Sequence, residues 1–154
     1  MTTLAGHGLS IPVPPGWEGR IFVPDLPPPA INLPVLHLTS APLTRERSSF
    51  APELAARAGG RGALVALLEF DHTLADRGLY APQGMDLPLR RARFHKRALQ
   101  VPSRVQAGHQ RFFSRHGRAF CLYVVLGTGP GVEHRLAIVN DALAGLTIAP
   151  RGLA

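Results

Sequence analysis

The sequence predicts an α+β fold, a mainly antiparallel sheet of about five to seven strands flanked by two or three helices. Three observations lead there. Residues 63–70 (ALVALLEF) and 119–126 (AFCLYVVL) are apolar on both faces, whereas an antiparallel strand with one wet face alternates. Both therefore belong in the sheet interior, covered on each side. Next, Gln110, Phe112 and Ser114 alternate with Arg111, Phe113 and Arg115, and His116-Gly117 supplies a tight turn into the strand at residue 119. Finally, Val132, Leu136, Val139 and Leu143 mark one helical face, with Pro130 at the first helical position, Glu133 complementing the dipole and Gly145 as terminator.

The remaining elements follow in chain order. Residues 8–14 (GLSIPVP) alternate and run into prolines, which suits a strand near a sheet edge. After Trp17, residues 20–23 (RIFV) form a second short strand, and the spacing predicts a hairpin between the two. Residues 24–34 (PDLPPPAINLP) form a surface loop, with the composition of a polyproline II ligand for an aromatic groove as the functional alternative. Residues 35–41 (VLHLTSA) are a strand. Ser48-Ser49 offer capping hydroxyls to a short helix with Pro52 in its first turn, Phe50, Leu54 and Ala58 on one face, and Gly59-Gly60 at its end. Residues 79–104 are broken by Pro82, Gly84, Pro88 and Pro102, and residues 146–148 form a last strand.

Composition sets the frame. A chain of 154 residues with 45% apolar content predicts one globular domain over residues 1–154. Such a chain buries about 70% of its unfolded surface, enough for a core without staples. Cys121 is the only cysteine, which excludes an intramolecular disulfide and fits a reducing compartment. The N-terminal residues lack the basic and apolar regions of a secretory signal, and no apolar run approaches the roughly 20 residues of a membrane span. The expected location is cytoplasmic. Of 17 basic residues 16 are arginine, the coding bias of a GC-rich bacterial genome. The net charge of +7 is a separate matter, because a positive field attracts acidic partners, anionic lipid and nucleic acid.

The opening GLSIPVPPGWE (residues 8–18) and the closing VNDALAGLTI (residues 139–148) resemble the PsbP-like superfamily, which includes a photosystem extrinsic protein, a Ran-binding transport factor and bacterial lipoproteins. In that superfamily the start is an amphipathic hairpin ending in a Pro-Gly-Trp-like turn, and the end is a helix carrying a small edge strand. The resemblance implies an antiparallel sheet between helical layers, an α/β/α sandwich, and a non-enzymatic protein-binding role. The chain departs from many bacterial relatives in lacking a lipoprotein signal and its cysteine, which counts against a periplasmic role.

Four places carry candidate chemistry. Gly127-Thr128-Gly129-Pro130-Gly131 lies between a predicted strand and a predicted helix, where a phosphate-cradling loop would sit. Its spacing fails the dinucleotide and P-loop patterns, and the plain reading is a turn. Glu69, Asp71 and His72 close an apolar strand. On a strand Glu69 and Asp71 share a face about 6.6 Å apart, suited to a hard cation or to divided acid and base roles, against a plain reading as a strand end meeting solvent. Cys121 lies in an apolar strand, where a thiol is an inert core residue. None of the seven histidines forms a zinc-type pair.

The fourth is residues 90–97 (RRARFHKR), whose Arg90, Arg91, Arg93, Lys96 and Arg97 surround Phe94. Cations with an aromatic ring suit a nucleic-acid strand or another anionic partner, and a solvated loop is the plain reading. Arg104, Arg111, Arg115 and Arg118 would extend the patch if strands brought them together. The leading expectation is a non-enzymatic module that engages a protein partner through a sheet edge or the basic loop, with no cofactor and no metal. An enzyme or small-ligand site near Glu69, Asp71 and His72 and a non-specific nucleic-acid binder through residues 90–97 stand as alternatives.

Overall fold

The chain runs β1 (Thr2–Gly6), β2 (Leu9–Val13), β3 (Glu18–Phe22), β4 (Val35–Thr39), α1 (Pro52–Ala58), β5 (Ala63–Phe70), β6 (Gln106–Arg115), β7 (Arg118–Gly127), α2 (Val132–Ala144) and β8 (Thr147–Ile148). This computed structural model describes residues 2–151. Met1 and residues 152–154, the ends of the domain expected over residues 1–154, lie outside the described residues.

The strands form two antiparallel sheets, one of five in the order β3-β4-β5-β7-β6 and one of three in the order β1-β2-β8. The fold is α+β, as the sequence predicts, with eight strands among the described residues rather than one sheet of five to seven. Strands β5 and β7 are interior. Ala63, Val65 and Leu67 join Phe120, Leu122, Val124 and Leu126 on one face, and Leu64, Ala66 and Leu68 join Cys121, Tyr123 and Val125 on the other. Covering both faces is what two doubly apolar strands require, since each large side chain buried contributes about 1.5–3 kcal/mol. Leu136, Val139 and Leu143 of α2, with Leu9 and Ile11 of β2 and Ile148 of β8, cover the first face. Leu54 of α1 and neighbouring Ala51 cover the second.

The hairpin expected between residues 8–14 and 20–23 does not form. Instead β2 pairs with β1 (Leu4↔Ile11) and β3 pairs with β4 (Arg20↔His37). The cause is Pro14-Pro15-Gly16: the Trp17 amide donates to the Pro14 carbonyl at 3.0 Å, and this turn carries the chain from one sheet to the other. The true hairpin turn is His7-Gly8, whose φ angles of 52° and 76° match those of His116-Gly117, 52° and 75°. Both are the paired positive-φ geometry of tight antiparallel turns.

Two helix starts also differ from expectation. Ser48 and Ser49 do not cap α1; its cap position is Ala51, in left-handed conformation, with no side-chain cap. The Glu46 carboxylate serves instead, accepting from the Leu54 amide at 2.7 Å, an anion at the positive end of the helix. Pro130 is not the first residue of α2, which begins at Val132 after Gly131 in left-handed conformation. The irregular residues 79–104 make only short helical turns and seal one edge of β6. His95 and Gly108 exchange backbone hydrogen bonds at 2.8 and 2.9 Å, and the Ser114 amide donates to the Pro82 carbonyl at 2.8 Å.

Candidate functional site

The acidic strand end is built as a structural joint. Glu69 is held by Arg118, whose Nε donates to Oε2 at 3.0 Å and whose Nη2 donates to Oε1 at 2.7 Å. The remaining guanidinium protons reach the carbonyls of His7, Gly8 and Ala149. One buried arginine thus ties the large sheet to the β1–β2 turn and to the residue after β8. Gly8 takes a φ of +76°, which a side chain would strain, and a Cβ on it would lie 2.7 Å from Arg118 Nη1. Asp71 lies beyond the end of β5 and accepts from the Thr73 amide at 3.0 Å, a bond that holds its carboxyl below the ordinary aspartate range. His72 is exposed beside it, 3.3 Å away. Glu69 and Asp71 do border an open groove of about 410 Å³ beneath the proline-rich loop, but the Glu69 side chain is 2% exposed. The three residues do not converge, because Arg118 has claimed the first of them.

The glycine loop is likewise occupied. The Gly127, Thr128 and Gly129 amides donate to the carbonyls of Gly62, Val105 and Gly60 at 2.8 Å each. The donors that a phosphate would need are spent inside the fold. Arg135 of α2, 7% exposed, turns back on the same loop and donates to the carbonyls of Arg61, Gly127 and Pro130. The glycines serve packing: a Cβ on Gly127 would lie 2.5 Å from the backbone of Gly60.

Cys121 is buried, and burial raises its thiol pKa to about 11. His37 is buried in β4; its Nδ1 accepts from Arg20 Nε at 3.0 Å, so Nε2 carries the proton and donates to the Ser49 carbonyl at 2.9 Å. Burial lowers its pKa to about 4. Burial also lowers the pKa of His109, whose ring packs against Phe94. Among the described residues no group of three or more His, Cys, Asp or Glu is placed to hold a metal ion.

The basic run divides into working parts. Phe94 is 5% exposed and belongs to the core, so it offers no stacking face to a nucleic acid. Arg93 pairs with Asp86 at 2.9 Å. Lys96 Nζ donates to the carbonyls of Ser103 and Arg104 at 3.1 and 2.8 Å. Arg90 and Arg97 are exposed, Arg91 is partly so, and none of the three has an acidic partner among the described residues. Of the proposed extensions, Arg104 and Arg115 are exposed. Arg111 donates to the Gly84 carbonyl and Arg118 is buried on Glu69, so those two leave the patch.

The loop that Lys96 ties down forms one wall of a cavity that the sequence did not reveal. This cavity measures about 250 Å³ and lies between α1 and residues 99–105, with Tyr123 and Val125 as its floor. Two of its polar side chains are bonded within the fold. The Tyr123 hydroxyl accepts from the Gln100 amide at 2.8 Å, and Gln106 Nε2 donates to the carbonyls of Ala55 and Gly59 at 2.7 and 3.2 Å. The first bond fixes the loop wall to the sheet, and the second pair fixes the helix wall. What a visitor meets is mainly apolar: Phe50, Ala56, Leu99, Val101 and Val105, with Val101 54% and Val105 51% exposed. The available signal was the apolar spacing of Leu99, Val101 and Val105 within a proline-containing loop, where solvent would favour polar residues.

Compared with known proteins, the chain matches no family model, no curated protein and no solved structure. No helix among the described residues is long and apolar enough to cross a membrane.

Proposed function

We propose that this chain is a non-enzymatic protein-binding domain that receives its partner at the apolar cavity between α1 and residues 99–105. One observation carries the reading: a preformed apolar recess with hydrogen-bonded walls and large hydrophobic residues exposed at its rim. Exposed apolar surface costs solubility and marks interaction sites. A fixed recess also spares the partner the cost of ordering the loop on binding. Supporting this reading, the carboxylate and amides that a catalytic alternative would use are bound within the fold. The PsbP-like resemblance points to the same role, and the α/β/α description belongs to that resemblance.

The test is site-specific photocrosslinking in cells. A crosslinking residue in place of Val101 is expected to capture a protein, and Ala56→Trp, which fills the recess from an exposed helix position, is expected to abolish the capture. Capture that survives Ala56→Trp, or that occurs equally from exposed Leu79, overturns the reading.

A second reading rests on charge. Arg90, Arg91 and Arg97 present cations without acidic partners among the described residues, which supports non-specific attraction of polyanions.

A further inference from the structure

We infer that the partner presents an acidic segment carrying one large apolar side chain that fills the recess between α1 and residues 99–105. The inference rests on the protein-binding reading and gives that partner its chemistry. Size comes first. A recess of about 250 Å³ falls below the roughly 300–1,000 Å³ of ordinary small-molecule pockets, and suits a single anchoring side chain of the kind that dominates protein interfaces. Its floor includes the edge-to-face pair of Phe50 and Tyr123, with centroids 5.3 Å apart at 80°, a surface that suits an aromatic or branched anchor.

Charge gives the flanks. Arg97 lies two positions before Leu99, and Arg104 lies between Ser103 and Val105. Both are exposed, and no acidic group pairs with them among the described residues. Lys96, the third cation of the rim, donates to two neutral carbonyls of its own loop and so keeps its charge. Of the acids nearby, Glu46 is bound to the start of α1 and Glu53 alone stands exposed on that helix. Arg97, Arg104 and Lys96 against one exposed glutamate leave the rim positive around an apolar centre. An acidic segment meets that rim with complementary charge, whereas a basic one is repelled.

The experiment uses three labelled peptides, each with one tryptophan between pairs of flanking residues that are glutamate, serine or lysine. The full chain should bind the glutamate peptide, the serine peptide about tenfold more weakly, and the lysine peptide not measurably. Ala56→Trp should abolish binding. The double variant Arg97→Glu with Arg104→Glu should lose the glutamate peptide and gain the lysine peptide, a reversal that misfolding cannot produce. Equal binding of the serine and glutamate peptides overturns the acidic assignment while crosslinking from residue 101 still stands for the protein-binding reading. Failure of all three peptides overturns the inference, and the crosslink then decides the broader reading separately. A homopolymeric RNA that competes with the glutamate peptide, and is itself lost on Ala56→Trp, overturns it in favour of nucleic acid.

Discussion

Arg118 binds both carboxylate oxygens of Glu69, at 3.0 and 2.7 Å, while the two side chains are 6% and 2% exposed. A pair so buried has lost its hydration, so removing one partner leaves an uncompensated charge at a cost of about 3–5 kcal/mol. Glu69→Gln is therefore expected to lower unfolding free energy by that amount, read by chemical denaturation. Asp71→Asn, at an exposed turn, should leave the denaturation midpoint in place. If Glu69→Gln instead keeps full stability, the joint between the two sheets is not where the structure puts it.

The contact between Gly127 and Gly60 allows a second test. The atoms that a Cβ at residue 127 would strike, at 2.5 Å, are backbone, so no rotamer change relieves the clash. Gly127→Ala should destabilise by several kcal/mol, roughly the range of overpacked buried sites. Gly117→Ala, with nothing near its Cβ but φ at +75°, should cost only about 1 kcal/mol of backbone strain. A phosphate-binding role would reverse the emphasis, with Gly127→Ala folding normally and losing an anion that protects the native protein from denaturation.

How far the sequence was legible follows from which signals are local. Strands β5 and β7 were readable as interior because residues 63–68 and 119–126 are unbroken apolar runs, which can only be covered on both sides. Their neighbours were harder. The dipeptide His-Gly occurs at residues 7–8 and 116–117 and makes the same turn in both places. At 116–117 it sits between two recognisable strands, but at 7–8 the preceding TTLAG is mostly exposed and shows no apolar alternation, so nothing local marks the turn. Arg118 and Glu69 are 49 residues apart, and nothing local shows that a charge at a strand start will be buried. The recess was hidden for a similar reason: its floor comes from β7 and its walls from α1 and the loop before β6. Phe94 lay among arginines and read as part of them. Only the fold shows that it turns inward while its neighbours face water.

Stability should fall on acidification, with His37 as a main cause. Burial lowers its pKa from 6.5 to about 4, so the unfolded chain takes up a proton near pH 6.5 while the native ring stays neutral. Between those values the unfolded state binds more protons, so stability rises with pH and is lost as pH falls. The full effect is about 3 kcal/mol. Burial of His109 acts in the same direction. Denaturation midpoints measured from pH 7 to 4.5 should therefore decline, and His37→Gln, which keeps one donor and one acceptor, should flatten part of the slope. An unchanged slope in that variant would mean the ring is not the neutral donor to Ser49 that the geometry requires.

The basic run supplies the last prediction, in which charge rather than base contact should govern any polyanion binding. Phe94 is inside the core, so the ring that would stack on a base is unavailable. Arg93 and Lys96 are engaged by Asp86 and by the carbonyls of Ser103 and Arg104. That leaves Arg90, Arg91 and Arg97, three cations that no acidic group holds in place among the described residues. Binding of DNA, RNA or heparin should be weak, indifferent to sequence, and reduced steeply by salt through counterion release. Replacing the three by alanine should lower all of these affinities together and flatten the salt slope. The unfolding free energy should change by less than about 1 kcal/mol, because exposed charges contribute little to stability. Lys96→Ala should behave differently, loosening residues 99–105 and weakening the glutamate peptide without removing the polyanion affinity. Tight preference of the wild-type chain for one nucleic-acid sequence over scrambled controls would defeat the charge argument, and with it the protein-binding reading.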